Sequence, residues 1–311
     1  MTDFFYAIVY NGSGQLYGWQ VILETVVIVV VTFFVIVFNI LVIAVMMTTH
    51  GLQDVVGYYL VSLSVADLIC GILITPLSVY PAIVQRWVYG DIVCKIESFV
   101  EIVLWSVTVY MFMWISVDRY LAVQKPSRYE TASTVGRCKC WIAFSWLASI
   151  ALSCPPLAAV SPANYYLEAS VCVLDWSHMS AYSVTMAALV VTPSFITIGY
   201  TYVYIYVRIT KYKWMTAEKK KECEWAPSSD PPYGNANHNL TCAITLAFVL
   251  SWLPWLLLQV YEKAAGPVDS PMVHFATMWL AIASACWKFV ILVVMNSRFR
   301  KGLKHLCDGD R

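Results

Sequence analysis

Charge is what this chain has least of. Asp, Glu, Lys and Arg make up 13% of its 311 residues, about half the share of an ordinary soluble domain and too little to coat one of this size. It also lacks a cluster of acid–base or metal-ligating side chains. The histidines, His50, His178, His238, His274 and His305, lie in or near loops and do not group. That argues against an intramembrane enzyme, and no catalytic residue, metal or cofactor is expected. Cys138 and Cys140 have no matching second pair, so they do not read as a zinc site. No internal repeat relates the two halves and no row of intramembrane charges marks a pore, which argues against a transporter or channel. Residues 1–20 have neither a basic start nor an apolar core, the two parts of a cleavable signal. The first apolar stretch is expected to serve as the insertion signal instead.

What is there is apolar sequence: 60% of residues are hydrophobic and the mean hydropathy is +0.66. A bilayer core takes roughly 20 apolar residues per helix. Seven segments meet that length: 21–46, 56–79, 99–117, 140–158, 182–207, 240–260 and 272–295. The expected fold is an all-α seven-helix membrane bundle. Residues 1–20 form a tail before it, 21–295 the bundle, and 296–311 an amphipathic helix with a short tail.

Lys and Arg mark the cytoplasmic side. The loop after span three holds Arg119, Lys125, Arg128, Arg137 and Lys139, the loop after span five Arg208, Lys211, Lys213 and Lys219 to Lys221, and the tail Arg298, Arg300, Lys301, Lys304 and Arg311. The opposite loops hold only Arg86, Lys95 and Lys263. The N-terminus is therefore expected outside and the C-terminus inside. Cys94 and Cys172 are the two cysteines expected on the oxidising side, a natural disulfide. Asn11-Gly-Ser13 is an N-glycosylation acceptor on that side. Asn239-Leu-Thr241 has the same pattern at a cytoplasmic helix mouth and reads as chance. Residues 210–239 read as a flexible cytoplasmic loop. In 297–306, Phe299, Leu303 and Leu306 share one face and bases fill the others, as suits a helix lying on the inner leaflet. Cys307 at its end reads equally as a palmitoylation site or a free thiol.

Several residues fall in an order that carries more than any one alone. Asn39 lies in span one and Leu63-Ser64-Val65-Ala66-Asp67 in span two. Trp87 precedes Cys94, and Asp118-Arg119-Tyr120 ends span three. Trp146 marks span four, with Pro155 and Pro156 near its outer end, and Pro193 lies in span five. Phe248 and Ser251-Trp252-Leu253-Pro254 lie in span six, and Asn296-Ser-Arg-Phe299-Arg300 opens the last helix. From Asn39 to about Leu306 the chain resembles a class A (rhodopsin-like) G-protein-coupled receptor, and the run Trp279-Leu280-Ala281-Ile282 resembles its amine-like and orphan members.

The resemblance implies a plasma-membrane receptor that couples an outer ligand to a heterotrimeric G protein, with no nucleic-acid partner. It implies that Asp118 holds Arg119 at rest, by a charge-assisted hydrogen bond, and that Arg119 meets the G protein when freed. Arg119 as a snorkelling interface residue is the plainer alternative. No acidic partner for it is evident at the base of span six. In the second inner loop, Pro126-Ser127 carries serine where the family has a bulky apolar residue. Complete burial of such a residue is worth roughly 1.5–3 kcal/mol, so weak or selective coupling is expected. Pro193 and Pro254 each remove a backbone hydrogen bond and kink their helices, and Trp252 with Phe248, four apart on one face, are implied to form the core hinge.

Glu101 lies seven residues inward from Cys94. It stands above Arg119 by about 27 Å at ~1.5 Å per residue, in the outer third of the bundle. Amine receptors carry an aspartate at this place, which pairs with a ligand ammonium. An intramembrane carboxylate is a functional hypothesis by default; an internal salt bridge or a protonated core glutamate is the alternative. Glu97, one turn higher, is expected to share the role, with Trp105, Thr185, Trp255, Gln259 and Trp279 around the same ligand.

Span seven departs from the family. Where it has Asn-Pro-x-x-Tyr, this chain reads Lys288-Phe289-Val290-Ile291-Leu292, and the tyrosine expected in span five is Thr201. A lysine deep in a membrane helix costs about 2.5–3.5 kcal/mol even on a lenient insertion scale, so it needs a partner. The resemblance implies that Asp67 stands beside it, where the family holds sodium, and a Lys288–Asp67 salt bridge is expected in its stead. Lys288 is not an opsin's retinal lysine, because Ile282 stands at that register. A constitutively active or signalling-impaired receptor is the second reading.

Overall fold

The computed structural model describes residues 17–124, 126–158, 163–174, 179–214, 235–266, 268 and 270–308. Asn11, Lys219 to Lys221 and His178 lie outside the described residues, as do the side chains of Pro126 and Ser127. Among the described residues, seven helices are long and apolar enough to cross a membrane. The first is Tyr17–Thr48, so the helix begins inside the stretch expected to be tail. The second is Val55–Leu73, continued through a 3-10 turn at Thr75–Ser78 and a short helix Val79–Val84. The third, Gly90–Gln124, is the longest. The fourth is Val135–Ser153 with the short Pro155–Ala158 beyond it. The fifth runs as Ser180–Met186, a π-helical stretch Ala187–Val191, and Thr192–Lys213. The sixth is Asn235–Ala265 and the seventh Pro271–Met295. The terminal helix is Ser297–Asp308.

Local chemistry sets these ends. The Asp54 carboxylate accepts the Gly57 N–H at 2.7 Å and caps span two, satisfying a donor the helix leaves free. Pro76 favours the tight turn at the outer end of that span. Pro193 has no N–H to give Leu189 O, the partner four residues back. That carbonyl accepts the Tyr110 hydroxyl at 3.2 Å instead, so the break in span five becomes a tie to span three. Asn296 ends span seven and opens the terminal helix, its Oδ1 accepting the N–H of Arg298 and of Phe299 at 3.0 and 3.1 Å.

Span three is the axis of the bundle. Val107, Met111 and Ile115 are wholly or almost wholly enclosed, whereas Phe33, Leu147 and Val203 are mostly exposed on outer faces, as apolar faces in a bilayer should be. Polar side chains knit the helices. Asn39 donates to Val35 O at 2.8 Å and Ala285 O at 3.4 Å, joining spans one and seven. Trp146 donates to Ser62 Oγ at 3.0 Å, joining four and two. The strands Ala163–Tyr166 (β1) and Val171–Leu174 (β2) pair antiparallel, with Tyr165 opposite Cys172. A Cys94–Cys172 disulfide ties β2 to the top of span three.

Candidate functional site

A cavity of about 190 Å³ lies under β2 between spans three, five, six and seven. Glu101 and Trp105, one turn apart on span three, form one wall; Ser183, Met186 and Val191 come from span five, Trp252 and Trp255 from span six, Met278 from span seven, and Val173 and Leu174 from β2. Among the described residues, Glu101 is its only ionisable lining group. Among the described residues its carboxylate has no hydrogen-bond or ion-pair partner. The indoles are inclined to one another: Trp105 and Trp252 are 6.2 Å apart at 57°, Trp252 and Trp255 5.9 Å apart at 85°. Below them Phe248 lies 6.1 Å from Trp252 and stacks on Phe112 at 4.6 Å. The aromatic column thus descends from the cavity floor into the bundle.

Four residues expected around this cavity stand elsewhere. Thr185 is exposed on the outer face of span five, and its hydroxyl returns to Ala181 O at 2.9 Å. Met186, about 100° further round the helix, and Ser183 face the cavity in its place. Trp279 is packed under the hairpin turn, its Nε1 donating to Ala169 O at 2.8 Å and its ring stacked on Phe275. Gln259 reaches the Glu262 carboxylate at 3.4 Å rather than the cavity. Glu97 is 3% exposed. One of its oxygens accepts the Cys172 N–H at 3.5 Å, and the other has no partner among the described residues. It braces the hairpin from behind and does not line the cavity.

Deeper, Lys288 Nζ donates to Asp67 Oδ2 at 2.7 Å. Thr201 faces inward but bonds only its own helix, at Ile198 O. The hydroxyl that crosses to span six belongs to its neighbour: Tyr202 lies 3.1 Å from Thr245 Oγ1. Thr245 gives its own proton to Thr241 O, so Tyr202 is the donor. Leu292 is fully buried, an apolar plug in place of a hydroxyl.

At the inner end, Arg119 is 5% exposed and pairs with Asp118, its Nε donating to Oδ2 at 3.0 Å. Tyr129, from the short helix Pro126–Ala132, closes the pair. Its hydroxyl donates to Asp118 and accepts from Arg119 Nη2, each at 3.0 Å. Ser133 also donates to Asp118. Burial first, and then the Asp118 charge, push the Tyr129 phenol well above its ordinary value, so it stays a donor. Tyr120 points the other way, against Tyr204 and Tyr200 of span five.

The sequence reading missed a node at the outer end. His274, 6% exposed, meets the Tyr166 hydroxyl of β1 through Nδ1. Its Nε2 lies 3.0 Å from Val268 O and 3.4 Å from the Glu262 carboxylate of span six. Burial, then the charges of Glu168 and Glu262, hold the Tyr166 phenol above its ordinary value. Hairpin, span six and span seven meet on one imidazole. A lone histidine next to a loop carries no pattern that announces this.

The terminal helix docks by its first turns. Phe299 is fully enclosed against Phe289, and Arg300 caps span seven by donating to Val293 O and Val294 O at 2.9 and 2.8 Å. Cys307 is exposed near its end.

Among the described residues, seven apolar helices surround a cavity under the β-hairpin, with a charge-paired arginine toward the opposite end of the third. The family model described as "7 transmembrane receptor (rhodopsin family)" matches residues 38–291, and the chain belongs to that family. It is 25% identical to the tachykinin-like peptides receptor 99D of Drosophila melanogaster over 92% of its length, spanning 57% of that receptor. It is 28% identical to G-protein coupled receptor 52 of Mus musculus, over 92% of this chain and 81% of the other. Trace amine-associated receptor 7e of Rattus norvegicus is 26% identical, over 87% and 78% respectively. The structure of squid rhodopsin superimposes with a TM-score of 0.76 at 20% identity, covering 92% of this chain and 84% of that one, a likeness of fold.

Proposed function

We propose that this protein is a plasma-membrane receptor, N-terminus outside, that couples a small cationic ligand at Glu101 to heterotrimeric G-protein activation. The observation that carries the reading is the Glu101 carboxylate, without a partner among the described residues, at the wall of a tryptophan-lined cavity. An intramembrane charge is expensive unless a counter-charge or a proton meets it, and a bound cation supplies the first. Movement of Trp252 and Phe248 relays occupancy to span six, whose kink at Pro254 is the pivot. Span six moves outward, Tyr129 releases Asp118 and Arg119, and the arginine meets the G-protein α subunit. The amine-like character of the cavity fits the trace amine relative better than the peptide relative, because about 190 Å³ does not enclose a peptide.

A second reading has its own observation. The Lys288–Asp67 pair fills with a tethered ammonium the place where the family holds sodium. With Leu292 and Thr201 in place of the family's tyrosines, the resting and active states differ by other contacts. That favours an unusual basal activity, high or low.

The test of the first reading is guanine-nucleotide exchange on a panel of α subunits without ligand, comparing wild type with Arg119→Ala. Basal exchange that disappears in the variant supports coupling through Arg119. Exchange that persists unchanged in the variant overturns it.

A further inference from the structure

We infer that the cavity selects an N-methylated onium, a tertiary or quaternary ammonium on a small apolar body, over a primary ammonium. This rests on the reading of Glu101 as the partner of a cationic ligand and names the head group that partner takes. A primary ammonium carries three N–H donors, and each one buried without an acceptor costs free energy. The cavity wall offers that head group one carboxylate, Glu101, and one hydroxyl, Ser183. The Ser183 hydroxyl lies 3.1 Å from Met179 O, to which it donates. The rest of the wall is apolar or aromatic. Glu101 therefore balances the charge of a primary ammonium and accepts at most two of its N–H groups, so the third turns to Ser183 or to the apolar and aromatic wall.

A quaternary ammonium has no donor to satisfy and a tertiary one has a single N–H, which Glu101 accepts. Their methyl groups spread the positive charge over apolar surface, and that surface is attracted by indole faces within about 6 Å. Trp105, Trp252 and Trp255 meet at 57° and 85° rather than stacking, so they bound one space from different directions. Aromatic surface on more than one side of the cavity suits a rounded cation. Size agrees: about 190 Å³ is below the roughly 300–1,000 Å³ of sites for drug-sized ligands, leaving room for a head group and a short body beside Ile102 and Val191. Lys288 does not compete for Glu101, because its ammonium is held by Asp67 at 2.7 Å.

The experiment uses the full chain, epitope-tagged, solubilised in detergent and checked for a monodisperse profile. The probes are 2-phenylethylamine and its N,N-dimethyl and N,N,N-trimethyl forms, one skeleton with none, two or three methyl groups added at nitrogen, so that the ammonium N–H donors fall from three to one to none. Binding is measured by calorimetry on wild type, Glu101→Gln and Trp255→Leu. The expected result is an affinity for the methylated forms about tenfold or more above the primary amine, since a desolvated cation–π contact of ordinary strength is worth that factor. Trp255→Leu is expected to weaken the methylated forms several-fold more than the primary amine and so to narrow the preference, a split that a folding defect does not produce. A primary amine that binds as tightly as the trimethyl form, with both lost in Glu101→Gln, overturns the head-group assignment and leaves the cationic-ligand reading standing. Binding of all three that is indifferent to Glu101→Gln, or binding of none to wild type, overturns both.

Discussion

Lys288 of span seven donates to Asp67 of span two at 2.7 Å, in the middle of the bundle. Neither charge belongs in a bilayer alone, and each is what makes the other tolerable. Breaking one side of such a pair leaves a buried uncompensated charge, which costs about 3–5 kcal/mol. Lys288→Ala is therefore expected to lower the thermal midpoint of the detergent-solubilised protein by many degrees. Added sodium is expected to restore part of the loss in the variant and to do nothing for wild type. The paired variant Asp67→Asn with Lys288→Met removes both charges and is expected to sit near wild type. A single variant as stable as wild type, with no response to sodium, sinks the pairing as a structural device.

Tyr129 closes Arg119 against Asp118 from the second inner loop. Tyr129→Phe keeps the ring and deletes the hydroxyl that bonds both partners, a loss of about 1.5–3 kcal/mol for bonds to charged groups. Basal nucleotide exchange is expected to rise in Tyr129→Phe and to vanish when Arg119→Ala is added. Exchange unaltered by Tyr129→Phe would mean that the hydroxyl does not hold the resting state.

His274 joins the hairpin to spans six and seven through Tyr166 and the Glu262 carboxylate. In His274→Phe the ring volume stays and the polar contacts go, leaving the Tyr166 hydroxyl without its partner. Hydrogen exchange of the backbone amides of β1 and β2 should quicken, while the disulfide keeps β2 attached to span three. Protection equal to wild type in both strands would remove His274 as a fastener of the hairpin.

Gly302 lies against span one so closely that a Cβ there would collide with Thr49 Oγ1 and meet Val45 Cγ1 at 3.0 Å. Gly302→Val cannot dock as drawn. Amides of the terminal helix are expected to exchange faster, and Phe299 to lose its enclosure beside Phe289. Unchanged protection in 297–308 would show that span one gives way instead.

Much of this protein could be read from residue order, because a bilayer demands long apolar helices and little else satisfies it. The seven spans, the 94–172 disulfide and the aromatic pair of span six all followed from hydropathy, compartment and spacing. The cavity lining was legible at Glu101 and Trp105 on the axial span and at Trp255 on span six, where the helical face was already set. Thr185 was misread because the π-helical stretch at Ala187–Val191 shifts the phase of span five between Pro193 and the outer turns. Trp279 and Gln259 were misread because periodicity says that a residue faces inward, not which neighbour it meets there. The His274 node left no trace, since its three partners come from three separate segments.

Sequence by itself determined the kind of molecule: apolar runs of bilayer length, Lys and Arg gathered at alternate loops, and an ordered set of residues on the spans. It also determined that a buried lysine needed an anion. The family resemblance named Asp67 as that anion, and tertiary structure alone decided that the pair is made and that Glu101 is left free. Asp67 is close enough to be neutralised, so Glu101, in the outer half of the same bundle, keeps a carboxylate facing an aromatic cavity. The reason is distance. Charges in a low-dielectric interior are satisfied only by what lies within a few ångströms, and only the packing of spans two, three and seven sets those few ångströms.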